Sequence, residues 1–225
     1  MTLQSITSLV RRTKLLLALL LISGCQAPDP LSGEHDAHAQ WWSIDFHGPA
    51  YMKGWVENSK VEDVDGRIID NGGGGVIGSD TPEDGTESAR GWRWVSGNVM
   101  PVVGASLPKR VFVRWQSIVE PQTYKAWVDI PEEGREVMRT STSRRCSENR
   151  RSRYRASMIL GLAPGGTVQV WARDRCSKAV KIARAQAVVE PLGPDQGKSE
   201  GQYVYEVSEK SRRYIERFGI PYGSW

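Results

Sequence analysis

Lys109-Arg110-Val111-Phe112-Val113-Arg114-Trp115-Gln116-Ser117 is the stretch on which the fold turns. Val111, Val113 and Trp115 fall on one face of an extended chain, with Phe112, Arg114 and Gln116 on the other, so the period is two. The same period returns in Tyr124, Ala126, Val128 and Ile130, and Glu120-Pro121-Gln122 between the two runs fits a hairpin connection. A second hairpin is expected from Arg155–Leu162 and Thr167–Ala172 across Ala163-Pro164-Gly165-Gly166, with Lys178–Val189 continuing as a third strand. Earlier strands are expected at Trp41–His47, Lys53–Val64 and Arg67–Asp70, with Asp65-Gly66 as the tight turn between the last two.

Two segments break the alternation. Pro131–Arg139 reads as a short helix with proline in its first turn and Glu132 and Glu133 near its positive end. Ser208–Phe218 reads as another, with Ser208 as N-cap, Tyr214, Ile215 and Phe218 on one side, and Gly219 and Pro221 ending it. The expected architecture is mostly β, an antiparallel β-sandwich or open barrel with two short helices, with α+β as the alternative.

The amino-terminal segment carries an address. Residues 11–25 run Arg-Arg-Thr-Lys-Leu-Leu-Leu-Ala-Leu-Leu-Leu-Ile-Ser-Gly-Cys, a basic head, an apolar run and small residues, as in a secretory signal peptide. The run is shorter than the roughly 20 residues that a membrane-spanning helix requires. Ile22-Ser23-Gly24-Cys25 resembles the bacterial lipobox, whose cysteine thiol accepts diacylglycerol before cleavage, so Cys25 is expected to become the acylated first residue. Gln26, in place of the aspartate that retains such proteins at the inner membrane, implies the periplasmic face of the outer membrane. Residues 25–40 have no apolar periodicity and read as a tether, leaving 41–225 as one globular domain. His35, Asp36 and His38 lie within that tether, where nothing would hold them as metal ligands.

Charge excludes one class of function. The full chain carries 30 basic and 26 acidic residues, +4, but Arg11, Arg12 and Lys14 belong to the leader, so a product starting at Cys25 has 27 minus 26, or +1. A nucleic-acid binder is not indicated. With Cys25 acylated, Cys146 and Cys176 remain as a pair in an oxidising compartment, and a disulfide is expected, two free thiols being the alternative.

Catalytic signatures are sparse. The chain has no Gly-x-Ser-x-Gly elbow, His-Glu-x-x-His pair, Walker loop or Cys-x-x-Cys motif, and past the tether only His47 remains as a histidine. Gly73-Gly74-Gly75-Val76-Ile77-Gly78 matches a dinucleotide fingerprint, but Ser79-Asp80-Thr81-Pro82 follows instead of a helix, so Asn71–Arg90 reads as a mobile loop. Asp80, Glu83, Asp84 and Glu87 lack the spacing of a calcium loop. No metal and no cofactor is expected. A glycan or peptidoglycan hydrolase using two carboxylates is the enzymatic alternative, since their separation in space is not readable from spacing.

The strongest local charge is Arg144, Arg145, Arg150, Arg151, Arg153 and Arg155, six guanidinium groups in twelve positions. They read either as a solvated loop or as a patch for lipid phosphates, lipopolysaccharide or an acidic partner. Trp92 and Trp94 share a face if their segment is extended, as buried core, a sugar platform or an interface anchor. The apolar ending Ile220–Trp225 is expected to dock back onto the domain.

Ser106–Ser117, Gly161–Gly166 with Val170, Trp171 and Cys176, and the ending Ile220–Trp225 together resemble the domain-of-unknown-function 2931 family of bacterial lipoproteins. The resemblance implies an exported domain, pairing of Cys146 with Cys176, and no established activity. Some lipoproteins of this general kind are encoded beside secreted phospholipase toxins and act as immunity proteins. The expectation is therefore a non-enzymatic binding protein tied to the bilayer through Cys25, with an effector toxin as its protein partner. The structural alternative is an envelope lipoprotein binding lipopolysaccharide.

Overall fold

The hairpin at the centre of the sequence is the centre of the structure, a computed structural model that describes residues 42–79, 91–92, 95, 100–102, 104–143, 156–173 and 178–225. Val111, Val113 and Trp115 of the strand Pro108–Ser117 are buried in the same core as Tyr124, Ala126 and Val128 of Gln122–Asp129, with Ile130 just beyond. The two strands pair in antiparallel register from Arg110 opposite Asp129 to Ser117 opposite Gln122. In chain order the described strands are β1 (Trp42–His47), β2 (Gly54–Asp63), β3 (Ile68–Gly72), β4 (Gly75–Ile77), β5 (Met100–Val102), β6 (Pro108–Ser117), β7 (Gln122–Asp129), β8 (Ala156–Leu162), β9 (Thr167–Arg173), β10 (Val180–Gln186) and β11 (Val188–Val189). The described α-helices are α1 (Glu132–Ser143) and α2 (Glu209–Phe218).

One sheet runs β10-β9-β8-β1-β5 and the other β11-β7-β6-β2-β3, with β4 added beside β2. The sheets do not close into a barrel, so the sandwich form of the expected fold is the one observed. Among the described strands pairing is antiparallel except between β1 and β8, which run parallel from Trp42 opposite Ala156 to His47 opposite Gly161.

Three departures from simple alternation have local causes. In β2 the core residues Val56 and Val61 have opposite parity, because a bulge between Val56 and Asn58 flips the facing of the residues from there to Glu62. The residue displaced there, Glu57, accepts hydrogen bonds from Arg114 Nε at 2.6 Å and Gln116 Nε2 at 2.8 Å. The expected single strand Lys178–Val189 divides at buried Ala187, whose N–H donates to Gly166 O at 2.8 Å. β10 stays with the first sheet and β11 crosses to pair with β7 in the second. The glycine run does not open a loop at Asn71: Asn71 and Gly72 end β3, and Gly75–Ile77 form β4 against β2. A side chain at Gly74 would collide with the Phe46 ring, so the missing Cβ serves close packing. The remainder of that loop, Asp80–Arg90, lies outside the described residues.

Helix α1 starts after Pro131 with Glu132 and Glu133 in its first turn, as expected, and runs four residues past Arg139. Glu132 pairs with Arg135 and Arg139, and Glu136 with Arg139, while Met138 is buried in the core. Helix α2 is capped by Ser208, whose Oγ accepts from Ser211 N at 3.1 Å. Tyr214 is buried and Ile215 half-buried, but Phe218 stays exposed.

Candidate functional site

Strand β1 sends Trp42, Ile44 and Phe46 into the core, which turns Ser43, Asp45 and His47 to the outer face of the five-stranded sheet. Register assembles three rows there: Ser43, Ser157 and Arg173; Asp45, Ile159 and Trp171; His47, Gly161 and Gln169. Ser43 and Ser157 share a hydrogen bond of 2.9 Å between their hydroxyls. Trp92 is half-buried on Gly161, its ring 5.1 Å from Trp171 edge-to-face and 6.1 Å from His47. A Cβ on Gly161 would stand 2.6 Å from the Trp171 ring and 2.7 Å from that of Trp92.

Asp45 is 3% exposed. Burial pushes its carboxyl up to about 7 against the opposing pull of the Met100 N–H and Arg173. Its Oδ1, like Trp92 Nε1, has no hydrogen-bond partner among the described residues. Most other buried carboxylates are paired: Glu57 with Arg114, Glu62 with Lys109 and Arg110, Asp63 with Arg67, and Glu190 with Lys125. Hydrogen bonds from Lys109 and Arg110 hold Glu62 below the ordinary glutamate range. Burial would raise Asp63, yet the Arg67 and Ser106 N–H groups outweigh it. Among the described residues, the rows around Asp45 hold no second carboxylate, and no group of three or more His, Cys, Asp or Glu is arranged to hold a metal.

The two ends of the sandwich differ. At one end Trp42 pairs with Ala156, Ser157 with Arg173, and Trp42 Nε1 donates to Ser106 O at 3.1 Å. The chain preceding Trp42, the chain preceding Ala156 and the chain following Arg173 all join the described strands at this end. In sequence these are the tether, the arginine run and the segment bearing Cys176. Cys25, Cys146, Cys176, Trp94, Arg144, Arg145, Arg150, Arg151, Arg153 and Arg155 themselves lie outside the described residues, as do His35, Asp36 and His38.

The opposite end is built from the carboxyl-terminal segment. Tyr51, held at φ 63°, stacks on Tyr214 of α2 with centroids 4.5 Å apart, and Ser211 Oγ donates to Tyr51 O at 2.7 Å. Trp225 is buried, its indole N–H donating to Pro164 O at 3.1 Å while Arg184 donates to its backbone oxygen at 2.8 Å. Tyr222 donates to Glu120 at 2.8 Å, and burial together with that carboxylate pushes its hydroxyl up to about 12. The ending therefore docks on the domain, as its apolar character implies.

Beside this cap lies a cleft of about 490 Å³ between α2, the β6–β7 turn and the segment before Ser208. Ile118, Val119, Pro121, Tyr203, Tyr205 and Ile215 give it apolar walls, and Glu206, Arg212 and Glu216 bring charge to it. The segment is fixed from behind: Val204 N donates to Gln116 Oε1 at 2.9 Å, and Gln116 in turn donates to Glu57. Tyr205 is held edge-on by Trp55 at 5.9 Å and lies under the Lys53 ammonium at 4.4 Å. Sequence reasoning passed over this segment because residues 190–207 carry no sustained period. The one available signal was Tyr203-Val204-Tyr205, two aromatics directly before a helix cap.

These features define a two-layer β-sandwich closed at one end by its carboxyl-terminal helix and tail, with an apolar cleft next to that closure. The chain belongs to the DUF2931 family of proteins of unknown function, whose model matches residues 29–223. No curated protein and no solved structure matches it significantly.

Proposed function

We propose that this protein is a lipid-anchored binding protein of the periplasmic face of the outer membrane, acting without catalysis, and in its specific form an immunity protein that occludes a secreted phospholipase-type effector. The observation that supports this reading best is the separation of the two ends of the sandwich. The tether joins the described strands at the end where Trp42 pairs with Ala156, so an acylated Cys25 would tie that end to the bilayer. A tether of roughly fifteen residues reaches on the order of 20 Å, within range of lipid headgroups. The other end lies a ten-residue strand away, about 30 Å, and carries the cleft where a partner approaching from the periplasm would meet it.

A role of this kind needs shape and no reactive group; among the described residues, the rows around Asp45 bring no second carboxylate beside it. The test is labelling of growing cells with radioactive palmitate, followed by fractionation. Wild type is expected to carry label and sediment with membranes, whereas Cys25→Ser is unlabelled and released. Co-expression with a phospholipase encoded beside the gene should abolish that enzyme's toxicity. An unlabelled wild-type protein would overturn the anchor, and undiminished toxicity would overturn the immunity role.

A further inference from the structure

Helix α2 carries two opposite-charge pairs at the same i,i+4 spacing, and they behave differently. Arg213 and Glu209 close to 2.6 Å. Arg212 and Glu216 form no ion pair; Arg212 Nη2 donates instead to Val207 O at 3.4 Å. The pair that stays open is the one lining the cleft, where Glu206 also has no ion-pair partner among the described residues. Elsewhere Lys60 with Asp70, Lys109 and Arg110 with Glu62, and Lys125 with Glu190 neutralise one another. Two acids without an ion-pair partner among the described residues thus face the cleft, set around walls of tyrosine, isoleucine and valine, while the cations beside them are engaged, Arg212 with Val207 O and Lys53 on the Tyr205 ring.

We infer that this cleft is the docking site for a protein segment that presents a large apolar side chain with a lysine or arginine close to it. The apolar side chain would enter between Tyr205 and Ile215, and the cation would meet Glu206 and Glu216. Tyrosine and arginine are the residue types that concentrate binding energy at interfaces, and a wall already pinned by Gln116, Trp55 and Lys53 loses little freedom when occupied. A membrane surface is a poor occupant, since the cleft is at the end away from Trp42, where the tether joins the domain. The inference rests on the proposed binding role and specifies where and what the protein binds.

The experiment is selection of a random dodecapeptide library displayed on phage against the purified full chain, followed by affinity measurement with the enriched synthetic peptides. Enriched sequences are expected to combine an aromatic or large aliphatic residue with Lys or Arg within four positions. Their affinity should fall about tenfold or more in the Glu206→Lys/Glu216→Lys protein, which should instead select acidic peptides. Tyr205→Ala should weaken the same peptides, while all these exposed changes leave thermal unfolding in place. Enriched peptides that bind the charge-reversed protein as tightly as wild type overturn the cleft assignment but leave a binding role standing; failure to enrich any peptide counts against both. Self-association of the chain that disappears with the charge reversal overturns the inference in favour of a second copy as occupant.

Discussion

Replacing Asp45 by asparagine should stabilise the protein in a manner that depends on pH. The carboxyl is 3% exposed and its folded-state pKa is about 7, against an unperturbed 3.8. The folded state therefore holds the proton more tightly than the unfolded chain does. Well below pH 3.8 both states are protonated and the acid costs nothing extra. As pH rises from 4 to 7 the unfolded chain gives up its proton first, so native stability falls. Above 7 the loss reaches its full value, on the order of 4 kcal/mol for a shift of this size. Asparagine occupies the same volume without titrating, so its advantage over wild type should be small near pH 4, grow through the interval and level off above 7. Urea unfolding of both proteins at half-unit steps from pH 4 to 8.5 measures the difference directly. Using the difference removes the other carboxylates, such as Glu62 and Asp63, whose depressed pKa values contribute stability that is lost on acidification. A difference that is flat with pH, or that shrinks toward alkaline pH, would refute the claim that Asp45 is buried and poorly compensated.

Trp225→Ala should cost about 3 to 5 kcal/mol, because a buried indole and its hydrogen bond to Pro164 disappear together; a melting temperature unchanged within a degree would contradict the docked tail. Gly161→Ala should push Trp92 off the sheet at a cost of about 1 to 3 kcal/mol, seen as a red shift of tryptophan emission, and an unaltered spectrum with unaltered stability would show that Trp92 does not rest there.

The period-two runs made the central hairpin readable residue by residue, and the caps of α2 were visible in Ser208 and Gly219. Alternation of this kind reports what a strand does to its own side chains. It says nothing of a bulge such as that at Glu57, which flips the facing of the residues beyond it, nor of the crossing at Ala187, where pairing partners far away in sequence decide which sheet a residue joins. The parallel pairing of β1 with β8 is non-local in the same way, since the partners are more than a hundred positions apart. Asp45 escaped notice because an acid alternating with Trp42, Ile44 and Phe46 looks like an ordinary solvent-facing position, yet it is buried. The cleft arises only when the segment around Tyr205 packs against α2 and the β6–β7 turn. The arginine run and the cysteine pair were the plainest signals in the chain, and they fall outside the described residues.

The division of one strand between two layers at Ala187 has a mechanical consequence. A single run of backbone is hydrogen-bonded to β9 on one side of the bend and to β7 on the other, so neither layer can slide without breaking bonds in both. The seam acts as a rivet, and the sandwich should yield to force or denaturant as one body, with its two halves letting go in the same step.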